Sequence, residues 1–186
     1  MPIILTPQLR NIFQEEQSIT FQDFLPENQW KLLKTGLQEQ DPNTPRDLFR
    51  NNEKVKKILF KKDLSTIALD LVESRKLLFA FDHFIKNPPF YPNPISLQEL
   101  SSVSPLAIGA ILSIYDNSIT YFDPQVVIDW NEMTKKEGLY LLFAYGEQGA
   151  IFHQNPLDPY TNLIKDMGYP PSCPLSTRTH PTLRAQ

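Results

Sequence analysis

The chain has 186 residues, of which 41% are hydrophobic and 21% are charged, a composition ordinary for one globular domain. Its formal net charge of −3 excludes the strongly basic character that would attract nucleic acid or acidic lipid. The single cysteine, Cys173, excludes an internal disulfide and a cysteine-based metal cluster.

The start of the chain favours a cytoplasmic protein. It has neither the basic residues nor the long apolar stretch of a secretory signal. The longest apolar stretches are too short to cross a bilayer, so no membrane partner is expected. A lone cysteine agrees with a reducing compartment.

Helical patterns dominate the first part of the chain. A short strand is predicted over 19–24, and Pro26 then opens a helix, because proline is well tolerated in a first helical turn. Thr44-Pro45 resembles a second N-cap with proline behind it, and helical segments are predicted over 55–60 and 64–72. The first of these two segments is surrounded by lysines, namely Lys54, Lys56, Lys57, Lys61 and Lys62.

The hydrophobic period changes after Arg75. Residues 77–85 alternate with apolar side chains on both faces, which predicts a strand. The pattern also predicts strands at 108–115 and 118–122, joined by a turn at Asp116-Asn117.

Further elements are predicted towards the end of the chain. A third strand is predicted at 126–130. A hairpin is predicted from 139–145 and 150–152 around Gly146-Glu147-Gln148-Gly149, and a last helix ends at Gly168.

Helices followed by clustered antiparallel strands predict an α+β sheet, sandwich or barrel rather than a doubly wound fold. No glycine-rich phosphate-binding motif is present. We predict a single domain over 1–186. Its helical N-terminal part spans 1–75, its β-rich part 76–155, and its C-terminal helix and tail 156–186.

Three histidines, His83, His153 and His180, are the candidates for a metal or acid–base site. His83 is next to Asp82, but adjacent strand residues point to opposite faces unless a bulge intervenes. His153 has Asp158 five residues further on. The weak metal-ligand candidates are therefore His83, His153 and Asp158, although such histidines are more often structural residues with a hydrogen-bond partner.

A family resemblance adds to this interpretation. Ile19-Thr20-Phe21-Gln22-Asp23-Phe24-Leu25-Pro26, followed by a helix, resembles the start of Fe(II)/2-oxoglutarate-dependent oxygenases of the phytanoyl-CoA dioxygenase type. The layout of helices, strand, proline-rich loop and strand pairs is similar too. The tail, with Asn155-Pro156-Leu157-Asp158-Pro159, Gly168-Tyr169 and Pro174-Leu175, resembles small bacterial members and uncharacterised chlamydial proteins of this fold.

The resemblance implies a double-stranded β-helix, or jelly-roll barrel, with the N-terminal helices packed against it. In that family, iron is held by a His-x-Asp/Glu motif and a distal histidine, and an Arg or Lys on a late strand binds 2-oxoglutarate. Two imidazoles and one carboxylate on one face leave the metal open positions for cosubstrate and oxygen.

The sequence departs from the family pattern at both functional groups. No histidine is followed two residues later by a carboxylate, and the stretch where the motif is expected, 87–107, offers Ser96-Leu97-Gln98-Glu99 without histidine. No arginine occurs between Arg75 and Arg178, so no predicted barrel strand carries one. No catalytic residue is carried over from the family.

Three functions follow as hypotheses. The first is a non-catalytic ligand- or protein-binding module, a pseudoenzyme without cofactor, whose small-molecule or protein ligand is unspecified. A barrel mouth offers a concave pocket even without metal. The aromatic residues that could line it, or pack in the core, are Phe79, Phe81, Tyr115, Tyr121, Phe122, Tyr140 and Tyr145.

The second hypothesis is a metalloenzyme with a rearranged site that uses His83 or His153 with Asp158, and only this hypothesis implies iron and 2-oxoglutarate. The third is a metal- or DNA-responsive regulator that uses the lysines of 54–62. The negative net charge and the absence of a helix-turn-helix pattern argue against nucleic acid as a partner.

Overall fold

The structure is organised by a six-stranded antiparallel sheet that is apolar on both faces. It is a computed structural model that describes residues 5–41, 44–86, 92–133 and 138–184. A two-stranded sheet covers part of one face.

The elements within the described ranges follow in chain order. The helices are α1 (Pro7–Glu16), α2 (Glu27–Gln38), α3 (Glu53–Leu59), α4 (Lys62–Leu71), α5 (Leu97–Leu100), α6 (Trp130–Met133) and α7 (Thr161–Asp166), and a 3-10 turn spans Leu48–Arg50. The strands are β1 (Ser18–Phe21), β2 (Lys76–Lys86), β3 (Ile95–Ser96), β4 (Val103–Ser113), β5 (Ser118–Phe122), β6 (Val127–Ile128), β7 (Leu139–Phe152) and β8 (Thr182–Arg184).

The large sheet has the order β1-β5-β4-β7-β2-β8, and the small sheet pairs β3 with β6. Helices α1 to α4 cover one face of the large sheet, which we call the helix-side face. The other face looks towards the small sheet and the chain after β7, and we call it the inner face. Strands of this kind must carry apolar residues at consecutive positions because both faces are buried.

The inner face is filled by the chain's own side chains. Trp130 is fully buried, donates its indole N–H to the Ile95 carbonyl at 3.1 Å, and meets Phe122 edge-on with ring centroids 6.4 Å apart. Phe81 and Phe152 are buried in the same cluster. Six of the seven aromatics named above lie at most 5% exposed and pack in the core, and only Tyr115, at 60%, is exposed.

The predicted alternation of 77–85 is wrong at one point, because β2 contains a bulge between Phe79 and Phe81. Phe79 and Phe84 pack on the helix-side face, whereas Phe81 and Ile85 pack on the inner face. The extra residue shifts the side-chain phase. His83 therefore lies on the inner face, with Phe81 and Ile85.

The predicted hairpin around Gly146–Gly149 is also wrong. Residues 139–152 form one strand, and β4 pairs with it on both sides of this segment, Leu106 with Gly146 and Ser104 with Ile151. The intervening residues bulge out opposite Pro105, which has no N–H to offer the ladder, and Gly149 has a φ of +88°. The chain therefore keeps the same direction through this segment and does not reverse as a hairpin would.

Local signals in the turns were correct. Asn117 has a φ of +54° between β4 and β5, and Gly168 has a φ of +88° after α7. The cap predicted at Thr44-Pro45 is wrong, since the 3-10 turn starts later with Asp47 as its N-cap. Helix α1 and strand β8 were not predicted.

Within the described ranges, none of the helices combines the length and the apolar character needed to cross a bilayer.

Replacing Gly109 with alanine should destabilise the protein by roughly 1–3 kcal/mol, because overpacking a filled core forces side chains from their rotamers. A Cβ atom there would lie 2.6 Å from the Phe122 ring and 2.8 Å from Leu97 Cδ2. Urea unfolding of G109A measures the effect. Ser113→Ala on the same strand is the control and should change stability by less than about 0.5 kcal/mol. An unchanged midpoint for G109A would mean that Phe122 can move aside.

Candidate functional site

The three predicted candidates, His83, His153 and Asp158, are linked through shared neighbours: His83 and Asp158 both contact Tyr160, and His153 and Asp158 both hydrogen-bond to the Ser102 backbone. Asp158 is 3% exposed and is held by two backbone groups: its Oδ2 accepts from the Ser102 N–H at 3.1 Å and its Oδ1 from the Tyr160 N–H at 2.9 Å. The His153 N–H donates to the Ser102 carbonyl at 3.0 Å. The His83 ring contacts the Tyr160 ring at a centroid distance of 5.0 Å.

A fourth residue, Arg46, joins this group and was missed in the sequence. Its guanidinium carbon lies 3.6 Å from the centre of the Phe81 ring, and its Nη2 lies 3.6 Å from Asp158 Oδ2. The side chains of this ion pair are 7% and 3% exposed. The inner face therefore holds a buried cation from the helical part of the chain, although no strand carries an arginine there.

Backbone pairing places Arg46 at this position. Residues 45–47 run along the edge of β2, where the Phe84 N–H donates to the Pro45 carbonyl at 2.7 Å and the Asp47 N–H donates to the Asp82 carbonyl at 2.9 Å. Arg46 is thereby bridged to His83. A single arginine directly after Thr44-Pro45 carries no sequence signal for this contact.

Electrostatics keeps His83 neutral. Its burial at 6% exposure lowers the pKa of His83 well below the usual value, and the positive charge of Arg46 lowers that pKa further. A neutral imidazole beside a guanidinium can accept or donate one hydrogen bond, but it adds no charge to the site.

Asp82 points to the helix-side face, where its carboxylate oxygens accept from the N–H groups of Leu48 at 2.8 Å and Phe49 at 3.0 Å. It caps the 3-10 turn. Complete burial raises the pKa of Asp82 to about 7, and the nearby negative charge of Asp47 acts in the same direction. The two N–H donors and Arg46 act against this rise without cancelling it.

The C-terminal tail packs next to the 3-10 turn. Arg50 links the turn to the tail, since its Nε donates to Asp47 at 3.0 Å and its Nη1 donates to the Thr179 carbonyl at 2.7 Å. His180 is fully buried next to Thr179, and burial followed by the charge of Arg50 lowers the pKa of His180 to about 4. Tyr169 hydrogen-bonds to the Thr179 hydroxyl.

These residues do not fit an iron centre. No group of three His, Cys, Asp or Glu side chains suited to a metal ion occurs in the parts of the chain that the structure describes. Glu99 serves a cap instead: its Oε2 accepts from the Ser96 hydroxyl at 2.8 Å and from the Ser96 N–H at 3.3 Å, which completes a capping box for α5. Residues 87–91, also in the expected motif region, lie outside the described residues.

The lysine-rich segment around α3 is partly neutralised by its neighbours. Two of its lysines pair with carboxylates, Lys54 with Glu39 and Lys56 with Glu53, while Lys61 contacts the neutral Gln29. The two ion pairs reduce the positive field that a phosphate backbone would meet.

Solved structures share the fold at low sequence identity. The carbocyclase SnoK of nogalamycin biosynthesis, a non-heme α-ketoglutarate-dependent enzyme, matches with a TM-score of 0.73 at 10% identity, covering 96% of this chain and 96% of its own. The epimerase SnoN of the same biosynthesis matches with 0.72 at 11% identity, covering 95% and 98%. The protein CT296 from Chlamydia trachomatis matches with 0.59 at 16% identity, covering 79% and 99%.

No family model matches the chain, and no curated protein matches it significantly. The structural matches confirm the predicted fold class, a mixed α/β protein with a curled antiparallel sheet of the jelly-roll kind found in 2-oxoglutarate oxygenases. They also confirm the resemblance to a chlamydial protein of this fold. At these identities they show the fold alone.

Replacing Asp82 with asparagine should change the difference in stability between the variant and wild type in the variant's favour as the pH rises. The pKa of Asp82 is about 7 against an ordinary value of 3.8, so the folded protein keeps a proton that the unfolded chain releases between these values. Stability therefore falls with rising pH across this window, and an amide removes that fall.

Urea unfolding at about pH 5 and about pH 8 should show a stability difference between D82N and wild type that shifts on the order of 2 kcal/mol in favour of D82N. The histidine contributions are common to both proteins and cancel. The control Asp166→Asn removes an exposed charge and should show no such shift. A difference independent of pH would show that Asp82 is already ionised at the lower pH.

Proposed function

We propose that this chain is a non-catalytic binding module on the oxygenase jelly-roll scaffold, with a small molecule or a protein as its ligand. The observation that carries the proposal is the buried ion pair of Arg46 and Asp158 on the inner face, next to His83. Arg46, a residue of the chain itself, lies beside two of the predicted metal-ligand candidates, His83 and Asp158.

The charges at this site support the proposal. A divalent cation bound to His83 or Asp158 would lie close to the Arg46 guanidinium and be repelled by it. Asp158 already accepts backbone hydrogen bonds on both oxygens, which metal binding would weaken or displace. Breaking a buried ion pair costs about 3–5 kcal/mol when one partner stays buried without compensation.

The packing of the inner face agrees with this. Phe81, Phe122 and Trp130 are at most 1% exposed, and all three belong to one buried cluster in which Phe122 contacts Trp130. SnoK and SnoN are described as α-ketoglutarate-dependent, and their resemblance to this chain is one of fold.

The proposal predicts that the purified protein, supplied anaerobically with Fe(II), retains far less than one equivalent of iron after desalting. It also predicts no succinate above background when 2-oxoglutarate and oxygen are added. The variants His83→Gln and Asp158→Asn should not alter either result, because neither residue holds a metal. Inductively coupled plasma analysis and chromatographic detection of succinate are the measurements.

The competing hypothesis, a metalloenzyme with a rearranged His/Asp site, predicts the opposite pattern. One equivalent of iron that both variants abolish, together with succinate release, would overturn the binding-module proposal. His153→Gln is the matched control for the third predicted ligand. Thermal unfolding of each variant distinguishes loss of a ligand from loss of the fold.

A further inference from the structure

A separate cleft opens on the helix-side face, between α2 and the ends of β4 and β7. Its volume is about 610 Å³, within the range of small-molecule sites. Its floor and walls include Trp30, Lys34, Phe84, Ile114, Tyr115 and Leu139. The inner-face ion pair has no part in it.

The aromatic walls of the cleft are held in place. The Trp30 indole N–H donates to the Ile114 carbonyl at 3.1 Å, which fixes the ring against the end of β4. Phe84 and Ile114 are buried at 5% and 4% exposure and form an apolar floor. Tyr115 also lines the cleft and is 60% exposed.

Among the described residues that line the cleft, Lys34 is the only charged one. Its ammonium lies 4.8 Å from the centre of the Trp30 ring, and it forms no ion pair with any residue in the described ranges. By contrast, Lys31 on the same helix pairs with Glu27 at 2.6 Å. The cleft thus presents a cation beside the Trp30 ring that is paired with no acid of the described ranges, in a protein of net charge −3.

We propose that this cleft binds a small aromatic anion, a carboxylate or sulfonate whose ring packs against Trp30 and Tyr115 while its charge meets Lys34. Apolar walls with one polar anchor give affinity through burial and orientation through the charge. The inference rests on the proposed binding function in taking a small molecule as ligand, and it adds the site and the chemical class.

The test uses two fluorescent probes of similar shape, the anionic anilinonaphthalene sulfonate and the neutral N-phenylnaphthylamine, titrated against the full chain. Lys34→Met should weaken binding of the anionic probe about tenfold, the effect of losing one charge-assisted contact, and leave the neutral probe unchanged. Lys34→Arg should retain anionic binding. Tyr115→Ala should weaken both probes.

Lys31→Met is the matched control, because it removes a lysine from the same helix outside the cleft and should leave both affinities unchanged. Equal thermal midpoints establish that each variant is folded. Failure of wild type to bind the anionic probe, or equal binding by wild type and K34M, would overturn this site. Either outcome leaves the binding-module proposal standing, since the iron and succinate measurements decide that proposal separately.

Discussion

The pairing of residues 45–47 with the edge of β2 is the contact on which the inner site depends. Strand β8 covers this edge only at 76–78, and the preceding helical region supplies the partner for Asp82 to Phe84. Because the backbone register is fixed there, Arg46 is set beside His83 and Asp47 comes close to Asp82. This short stretch of backbone pairing thus brings Arg46 to the inner face and Asp47 towards the helix-side face.

Buried charges are tolerated only when they are paired or neutralised, and the structure uses both solutions. Arg46 is paired with Asp158, and Asp47 with Arg50. No cation of the described residues is in direct contact with Asp82, which has two backbone donors and a pKa raised to about 7. In both arrangements the buried charges are satisfied by groups of the chain itself.

A shared jelly roll therefore does not carry a shared site. The matched enzymes and CT296 establish the architecture, and architecture is compatible with many functions. Here aromatic side chains such as Phe122 and Trp130 pack together on the inner face, while a cleft lies on the helix-side face at Trp30 and Lys34. The ligand site that we propose beside α2 therefore rests on this cleft and not on the shared fold.

Local sequence patterns by themselves determined much of this protein: the strand at 118–122, the left-handed turns at Asn117 and Gly168, and the departure from the oxygenase motif, since each depends on residues close together in the chain. Only the tertiary structure decided that 139–152 is one strand and that Arg46 reaches the inner face. The reason is physical. A bulge opposite a partner strand, and an ion pair between residues more than a hundred positions apart, are set by packing that no local periodicity encodes.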